Sequence, residues 1–121
     1  MGLIEIYFFD TYALIEIYRK NKDYEKYKNV TMLTSYLNLI EFDYYLLRTG
    51  GDRNLFYKLK EFIVQVEDED IRKANELKFK YKKKNLSFVD CVGYIMAKRL
   101  GIKFLTGDQT FAEMDDVEFV K

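Results

Sequence analysis

The sequence predicts an α/β fold in which a mostly parallel β-sheet is covered by helices on both faces. Short apolar runs typical of buried strands occur at Ile4–Phe9 and Ile102–Thr106. Longer stretches with helical spacing of apolar residues separate such runs, and alternation of strands with helices is typical of parallel α/β domains. The 121 residues contain no Pro and no linker-like stretch, so we expect a single domain over residues 1–121.

Capping signals set the predicted helix boundaries in the first half of the chain. A helix over Thr11–Tyr18 follows the first strand, and the charged stretch Arg19–Asn29 is predicted to be an exposed loop or a solvated continuation of it. Asn38 and Glu41 have the spacing of a capping box, which predicts a helix that begins at Asn38 and ends at the Gly50-Gly51 pair. The other predicted elements are a weak strand over Thr31–Ser35, a short helix over Asn54–Glu61, a strand over Phe62–Val66, a helix over Ile71–Lys84, a short helix over Phe111–Met114 and a strand over Val117–Val120.

The stretch Leu86–Ala97 is predicted to be a buried helix because its apolar residues lie on almost every side. It is expected to start after Ser87 and to end before Gly101. Asp90 falls in its first turn, and a buried carboxylate is costly unless a cation or a hydrogen-bond donor is near it. The chain has no His to serve as that partner. Cys91, the single cysteine, is expected to be a small buried residue rather than a reactive thiol.

Four acidic residues are candidates for one shared site. Asp10 directly follows a predicted strand and Asp108 follows another across one Gly, and ligands of open α/β sheets bind beyond the carboxyl ends of strands. Glu41 and Asp90 lie in the first turns of predicted helices that can border the same crevice. Each acid also has a local explanation: Asp10 and Asp108 as caps or turn residues, and Glu41 and Asp90 as acids of capping boxes.

Carboxylates gathered in an apolar cleft repel one another, so without a cation some of them would stay protonated near neutral pH. Mg²⁺ or Mn²⁺, hard cations that prefer oxygen ligands, would resolve that conflict. A typical zinc site is disfavoured because the chain offers no His and only one Cys.

The bulk composition describes a folded chain with no strong charge bias. Lys and Arg total 20, Asp and Glu total 20, and 49% of the residues are hydrophobic. The N-terminal run lacks the basic region of a signal peptide, and no apolar run approaches the about 20 residues of a membrane span. A soluble, cytoplasmic protein is expected.

The motifs FFDTYALI, NLIEF, LSFVDCVGYIMA and FLTGDQTF, taken in this order and spacing, resemble those of PIN-domain ribonucleases, in particular the VapC-like toxins of type II toxin–antitoxin pairs. Asp10, Glu41, Asp90 and Asp108 fall on the four acidic positions of that family. The resemblance covers essentially the whole chain. One departure is Gly107, where an Asn is common in the family.

The resemblance implies a central parallel sheet of about five strands, a Mg²⁺- or Mn²⁺-dependent endoribonuclease, an RNA substrate, an antitoxin partner and a homodimer. Asp10 and Asp90 would be direct metal ligands, while Glu41 and Asp108 would complete the shell directly or through water. Thr11 and Thr106 could hydrogen-bond a carboxylate or phosphate, although a surface or turn role is favoured for both.

Other functions remain open from the sequence. The chain could be a non-cleaving RNA- or protein-binding module on this fold, or an RNA-processing nuclease outside toxin–antitoxin systems. A response-regulator-like phosphoacceptor domain fits poorly, since it needs paired acids before its phosphorylated Asp. The seven basic residues in Ile71–Lys84 are read as a solvated helix face, with RNA contacts by Lys82, Lys83 and Lys84 as the alternative. Apolar surfaces on Tyr12–Tyr18 and Phe42–Leu47 are expected to be covered by a partner.

Overall fold

The computed structural model describes residues 5–121, in which a four-stranded parallel sheet carries the strands in the order β2-β1-β3-β4. The strands are β1 (Ile6–Phe9), β2 (Thr31–Leu33), β3 (Lys103–Thr106) and β4 (Val117–Phe119). The strand β1 pairs in parallel with β3, the strand after the predicted buried helix, and Phe8 lies opposite Phe104. Ile4, where the sequence placed the start of the first strand, lies outside the described residues.

Helices cover both faces of the sheet, so the predicted α/β fold is confirmed with four strands. The α-helices are α1 (Thr11–Tyr18), α2 (Tyr36–Thr49), α3 (Leu55–Leu59), α4 (Asp68–Lys80) and α5 (Phe88–Leu100). Short 3₁₀ segments cover Lys22–Asn29, Lys60–Phe62, Lys82–Lys84 and Gln109–Phe111.

Alternate residues of the central strands point into two separate cores, as the pleat of a strand requires. Tyr7, Phe9 and Leu105 pack with α1 and α2 on one face. Phe8 and Phe104 pack with α4 and α5 on the other. On the second face α5 approaches the sheet at Gly93, where an added Cβ would lie 2.9 Å from the Phe8 ring. The two central strands therefore carry the core of both layers.

The expected start of α2 is wrong by three residues. Ser35 caps the helix, its hydroxyl accepting from the Asn38 amide at 3.4 Å, and Tyr36 is the first helical residue. Asn38 is fully buried within the first turn rather than at the cap. Glu41 therefore lies in the second helical turn, where a capping box no longer explains it. The predicted end is confirmed by Gly50, whose φ of +75° is the left-handed conformation that ends many helices.

Two other predicted stretches differ from the structure. Phe62–Val66 makes one isolated bridge, between Thr34 and Ile63, instead of a strand. The stretch Arg19–Asn29 is not simply exposed, because Tyr24 and Tyr27 are buried in it. The Tyr24 hydroxyl donates to the Val120 carbonyl and the Tyr27 hydroxyl to the Glu118 carboxylate. Both rings can therefore be buried without leaving an unpaired polar atom.

The helix α4 begins and ends earlier than Ile71–Lys84. Its N-terminus is built by Glu67 and Asp70 in a reciprocal capping box. Asp70 is buried and accepts two hydrogen bonds from Arg99 of α5, both at 2.9 Å. This ion pair fixes the two helices that form one outer layer.

The helix α5 is buried over most of its length, as predicted, but not at its first residue. Cys91, Tyr94 and Met96 are buried, whereas Phe88 is 61% exposed. Phe88 lies at the first helical position, beyond the edge of the core that covers the later turns. Its exposed ring is an exception to the all-round burial expected from the sequence.

Candidate metal-dependent active site

Asp10 lies where β1 ends and α1 begins, and it is 1% exposed. Its Oδ1 accepts a hydrogen bond from the Ala13 amide at 2.8 Å, so it is the N-cap of α1. Its own amide donates to the Leu105 carbonyl at 3.2 Å, which holds it against the end of the neighbouring strand β3. The local capping role is therefore real, and it places a buried carboxyl group at the carboxyl edge of the sheet.

Asp108 lies at the same edge, two residues beyond the end of β3. Its amide donates to the Thr106 hydroxyl at 3.0 Å, and its Oδ1 accepts from the amide and the hydroxyl of Thr110 at 3.0 and 2.8 Å. Thr106 is fully buried, so its expected role as a surface or turn residue is wrong. These contacts orient the Asp108 carboxylate through the polypeptide on either side of it.

Gly107, the departure from the family pattern, has no room for any side chain. A Cβ at this position would lie 2.1 Å from Cε1 of Tyr12 and 2.6 Å from the Val120 carbonyl oxygen. The Tyr12 ring therefore occupies the space that an Asn side chain would need. Only glycine fits at this position without displacing Tyr12 or Val120, and the next residue, Asp108, lies at the edge of the sheet.

Asp90 enters from α5. Its amide donates to the hydroxyl of Ser87, the N-cap of the helix, at 3.0 Å. This confirms the predicted cap. The carboxylate of Asp90 is thus held in the first turn of the helix, beside the Ser87 hydroxyl.

Glu41 enters from α2 through a polar network that the sequence did not reveal. Thr11 donates from its hydroxyl to Glu41 Oε1 at 2.5 Å, and Asn38 Nδ2 donates to the Thr11 hydroxyl at 3.2 Å. Ser35 in turn donates to Asn38 Oδ1 at 2.7 Å. The expectation of a bland role for Thr11 is wrong, since it fixes the orientation of Glu41. The sequence paired Asn38 with Glu41 as a capping box, whereas in the structure both residues hydrogen-bond to the Thr11 hydroxyl.

Charge interactions link the four acids in pairs: Asp10 with Asp90 and Asp108, and Asp90 with Asp108 and Glu41. Burial raises the pKa of Asp10 to about 8; hydrogen bonds from Thr106 and Ala13 oppose this, and the charges of Asp90 and Asp108 add to it. Burial likewise raises the pKa of Asp90 to about 6, opposed by Ser87 and reinforced by the charges of Asp108 and Glu41. Each acid is therefore linked to at least one other by repulsion.

The four acids interact through their charges, but their side chains do not form a metal-ligand cluster. Within residues 5–121, no group of three His, Cys, Asp or Glu side chains is close enough to hold a metal ion. The donor set is nevertheless made of oxygen, and two of its carboxyl groups are raised in pKa by burial and mutual repulsion. A hard divalent cation, bound partly through water, suits such a set because it would neutralise the crowded charge.

Cys91 follows Asp90 directly but is not a competing ligand. It is fully buried, and burial raises the pKa of its thiol to about 11, with a further contribution from the Asp90 charge. A thiol with such a pKa stays protonated at neutral pH, and only the thiolate binds metal or acts as a nucleophile. The expectation that it is a small buried residue is confirmed.

The chain is similar to one protein family over most of its length. The family model described as the PIN domain matches residues 7–117. No curated protein sequence matches the chain.

In residues 5–121, no helix is both long and apolar enough to cross a bilayer.

Several solved structures share the fold. A toxin–antitoxin complex from Klebsiella pneumoniae matches with a TM-score of 0.77 and 17% identity, covering 93% of this chain and 95% of that one. VapC20 of Mycobacterium tuberculosis, a toxin that cleaves the sarcin–ricin loop, matches with a TM-score of 0.79 and 19% identity over 95% and 99% of the two chains. A protein from Pyrobaculum aerophilum matches with a TM-score of 0.67 and 16% identity over 97% and 92%.

Proposed function

Because the chain belongs to the PIN domain family, we propose that it is a divalent-metal-dependent endoribonuclease and the toxin of a toxin–antitoxin pair. The observation that carries the proposal is the coupled set of Asp10, Glu41, Asp90 and Asp108, in which burial and mutual repulsion raise the pKa of two members. Such crowding costs stability in a metal-free protein, and a bound cation would offset it.

Asp10 and Asp90 are the proposed direct ligands of Mg²⁺ or Mn²⁺, because they are the two acids whose burial most disfavours an uncompensated charge. Asp108 and Glu41 complete the shell, directly or through water. When bound, such a cation polarises a phosphoryl oxygen and lowers the pKa of a coordinated water, which is the chemistry that phosphodiester hydrolysis requires.

The surrounding residues of the chain orient these carboxylates. The Ala13 amide holds one oxygen of Asp10, the Thr11 hydroxyl holds one oxygen of Glu41, and Thr110 holds one oxygen of Asp108. Glu41 and Asp108 each keep a second oxygen for the cation or for the attacking water, while Asp10 also interacts with the Thr106 hydroxyl. Water attacks the phosphorus of the RNA phosphodiester in line with the leaving oxygen and gives a proton to a carboxylate or to solvent. The P–O bond to the leaving oxygen breaks, and that oxygen takes up a proton from solvent to leave as a hydroxyl group.

Cleavage of a labelled RNA in the presence of Mg²⁺ tests the proposal. Asp90→Asn keeps the side-chain volume and the backbone contact to Ser87 but removes the negative charge, so we expect cleavage to be abolished. Asp115→Asn is the matched control. Asp115 is an exposed acid just before β4, at the edge of the parallel sheet opposite the candidate site, so this variant should cleave RNA like the wild type. Cleavage that persists in EDTA, or that survives Asp90→Asn, would contradict a metal-dependent role for these acids.

An antitoxin partner is supported by the exposed face of α2. Tyr36, Ile40, Tyr44 and Leu47 follow one helical stripe and are each between 45% and 65% exposed. A contiguous apolar stripe of this kind is characteristic of a protein interface. The stripe differs from the expected surface Phe42–Leu47, because Phe42 is buried and the exposed apolar residues extend back to Tyr36.

The similarity to a chain of a toxin–antitoxin complex is the reason to choose an antitoxin as the partner for this stripe. A homodimer is part of the same proposal. Light scattering with and without the co-expressed antitoxin tests both: Tyr44→Lys should prevent antitoxin binding, and the free chain should have twice the monomer mass. A monomer that binds the antitoxin equally well after Tyr44→Lys would contradict this assignment.

A further inference from the structure

The connection between α4 and α5 carries an unusual run of alternating positive and aromatic side chains. Lys78–Phe88 contains five lysines and three aromatic residues and has no acid. We call this stretch the lysine–aromatic segment. The sequence favoured a solvated helix face here, but the segment is not a regular helix, because α4 ends at Lys80, a 3₁₀ turn covers Lys82–Lys84 and Asn85 adopts a φ of +58°.

Two phenylalanines of the segment are exposed although nothing in the fold requires it. Phe79 is 73% exposed and Phe88 is 61% exposed. Each ring lies near a lysine: Lys82 Nζ is 5.2 Å from the centroid of Phe79, and Lys78 Nζ is 4.8 Å from that of Phe88. The segment thus presents flat apolar rings beside positive charges.

In the part of the chain that the structure describes, the lysines of this segment have no carboxylate partners, in contrast to the basic residues of the adjoining helix. On α5, Lys98 is paired with Asp116 and Arg99 with Asp70. Within residues 5–121, none of the five lysines of the segment forms a salt bridge. An uncompensated positive stretch in a chain of zero net charge is a site for an anionic ligand.

The segment borders the acidic site on two sides. Phe88 lies two residues before Asp90 in the first turn of α5. Lys84 Nζ donates to the Thr110 carbonyl at 3.4 Å, and Thr110 is the residue that holds the Asp108 carboxylate. A polyanion bound at the acids would therefore have this segment within reach.

We infer that the lysine–aromatic segment grips single-stranded RNA beside the cleaved bond, with Phe88 stacking on an unpaired base and Lys82 and Lys83 contacting phosphates. This inference rests on the proposed ribonuclease function and deepens it. Stacking on an exposed aromatic ring requires a base that is not already paired and stacked, so the segment selects single strands over duplexes. The lysines supply attraction without sequence preference, since phosphates carry no sequence information.

A docked protein segment is the competing occupant of the exposed rings, and the charge decides against it. A hydrophobic helix or strand would leave five ammonium groups beside an apolar interface without partners, which interfaces avoid at their centres. RNA satisfies the rings and the ammonium groups together.

Binding of a fluorescein-labelled single-stranded RNA of about 12 nucleotides, followed by fluorescence anisotropy in EDTA, tests the inference without depending on cleavage. Loss of one stacked base corresponds to about a 5- to 150-fold weaker affinity, so Phe88→Ala should lie in that range. Phe88→Leu should be as weak as Phe88→Ala, whereas Phe88→Trp should bind at least as well as the wild type. A generic apolar contact would instead be kept by Leu.

The salt dependence tests the lysines. Between about 50 and 200 mM salt, each phosphate contact of a single strand contributes about 0.7 to the slope of log K against log salt, so Lys82→Ala and Lys83→Ala should each lower the slope by about that amount. Tyr57→Ala and Lys58→Ala are matched controls, an exposed aromatic and an exposed lysine of α3, and should bind like the wild type. A duplex of the same sequence should be much less sensitive to Phe88→Ala.

Three outcomes separate this inference from the ribonuclease proposal. If the wild type cuts RNA but the Phe88 and lysine variants bind it as tightly as the wild type, the inference is overturned and the ribonuclease proposal stands. If the variants bind weakly while the wild type cuts no RNA, the inference is supported and the ribonuclease proposal fails. Unchanged RNA affinity together with loss of antitoxin binding would assign the segment to protein docking and also overturn the inference.

Discussion

Replacing Asp10 by Asn should remove a large part of the pH dependence of folding stability in the metal-free protein. Asp10 is 1% exposed, and burial is the first cause that raises its pKa to about 8. In the unfolded chain an Asp titrates near a pKa of about 3.9. Because the folded pKa is the higher one, the folded state is favoured by this group at low pH, and that contribution is lost as the pH rises from about 4 through about 8.

The size of the effect follows from these two pKa values. Between about pH 5 and about pH 8.5, ionisation of Asp10 should lower the free energy of unfolding by about 4 kcal/mol. For a domain of this size that corresponds to a fall of about 15 °C in the melting temperature. Asn cannot ionise, and its side-chain oxygen can still accept the hydrogen bond from Ala13, so the cap is kept.

Thermal melts in EDTA at both pH values provide the assay, and the quantity to compare is the change in midpoint with pH in the wild type minus that in Asp10→Asn. Acids that do not interact with Asp10 contribute equally to both proteins and cancel in this difference, whereas the repulsion of Asp10 by Asp90 and Asp108 is part of the effect that is measured. Asp115→Asn, an exposed acid, should show the full wild-type pH dependence. A variant that loses stability with pH as steeply as the wild type would refute the reasoning, because Asp10 would then be ionised in the folded protein without cost.

Three further predictions concern stability: two test close packing at glycines, and one tests the Asp70–Arg99 ion pair. Gly107→Ala should destabilise the fold by about 2 kcal/mol or more in urea titrations, because its Cβ would collide with the Tyr12 ring, whereas the control Gly101→Ala meets no atom within 4 Å and should cost only about 1 kcal/mol for its positive φ. Gly93→Ala should cost about 1–3 kcal/mol, since its Cβ would lie 2.9 Å from Phe8, and an unchanged urea midpoint would contradict the close helix–sheet contact. Burial raises the pKa of Asp70, but the Arg99 hydrogen bonds outweigh it and lower that pKa overall, so Asp70→Asn should cost about 1–3 kcal/mol at neutral pH. That difference from the wild type should shrink as the pH falls below about 4, because the ionised form is the stabilising one.

The sheet and the strand-end acids were predictable because local patterns decide them. Ile102–Thr106 is apolar enough to be buried on both faces, and Asp10 follows its strand directly, so parallel topology alone brings that acid to the carboxyl edge. The Ser87 cap of α5 was predictable for a similar reason, since a cap is a contact between residues three positions apart.

Contacts distant in sequence account for most of what the sequence did not reveal. Asn38 looked like a cap because its spacing to Glu41 fits one, but it is buried against Thr11, 27 residues away. Tyr24 and Tyr27 lie among charged residues, and their burial depends on acceptors near the C-terminus. Phe88 fits the apolar pattern of its helix, but the hydrophobic core does not extend over the first turn of α5, so its ring is exposed.

The central claim is that the four acids form a cation site, and the melting temperature with EDTA and with Mg²⁺ tests it most directly. In the wild type, Mg²⁺ should raise the midpoint, because a cation that binds only the folded protein stabilises it. In Asp90→Asn, the midpoint in EDTA should be higher than in the wild type, since one repelling carboxylate is gone, and the gain from Mg²⁺ should shrink. A modest loss of stability in EDTA together with an undiminished Mg²⁺ response would contradict the claim and leave Asp90 with a purely local role at the start of its helix.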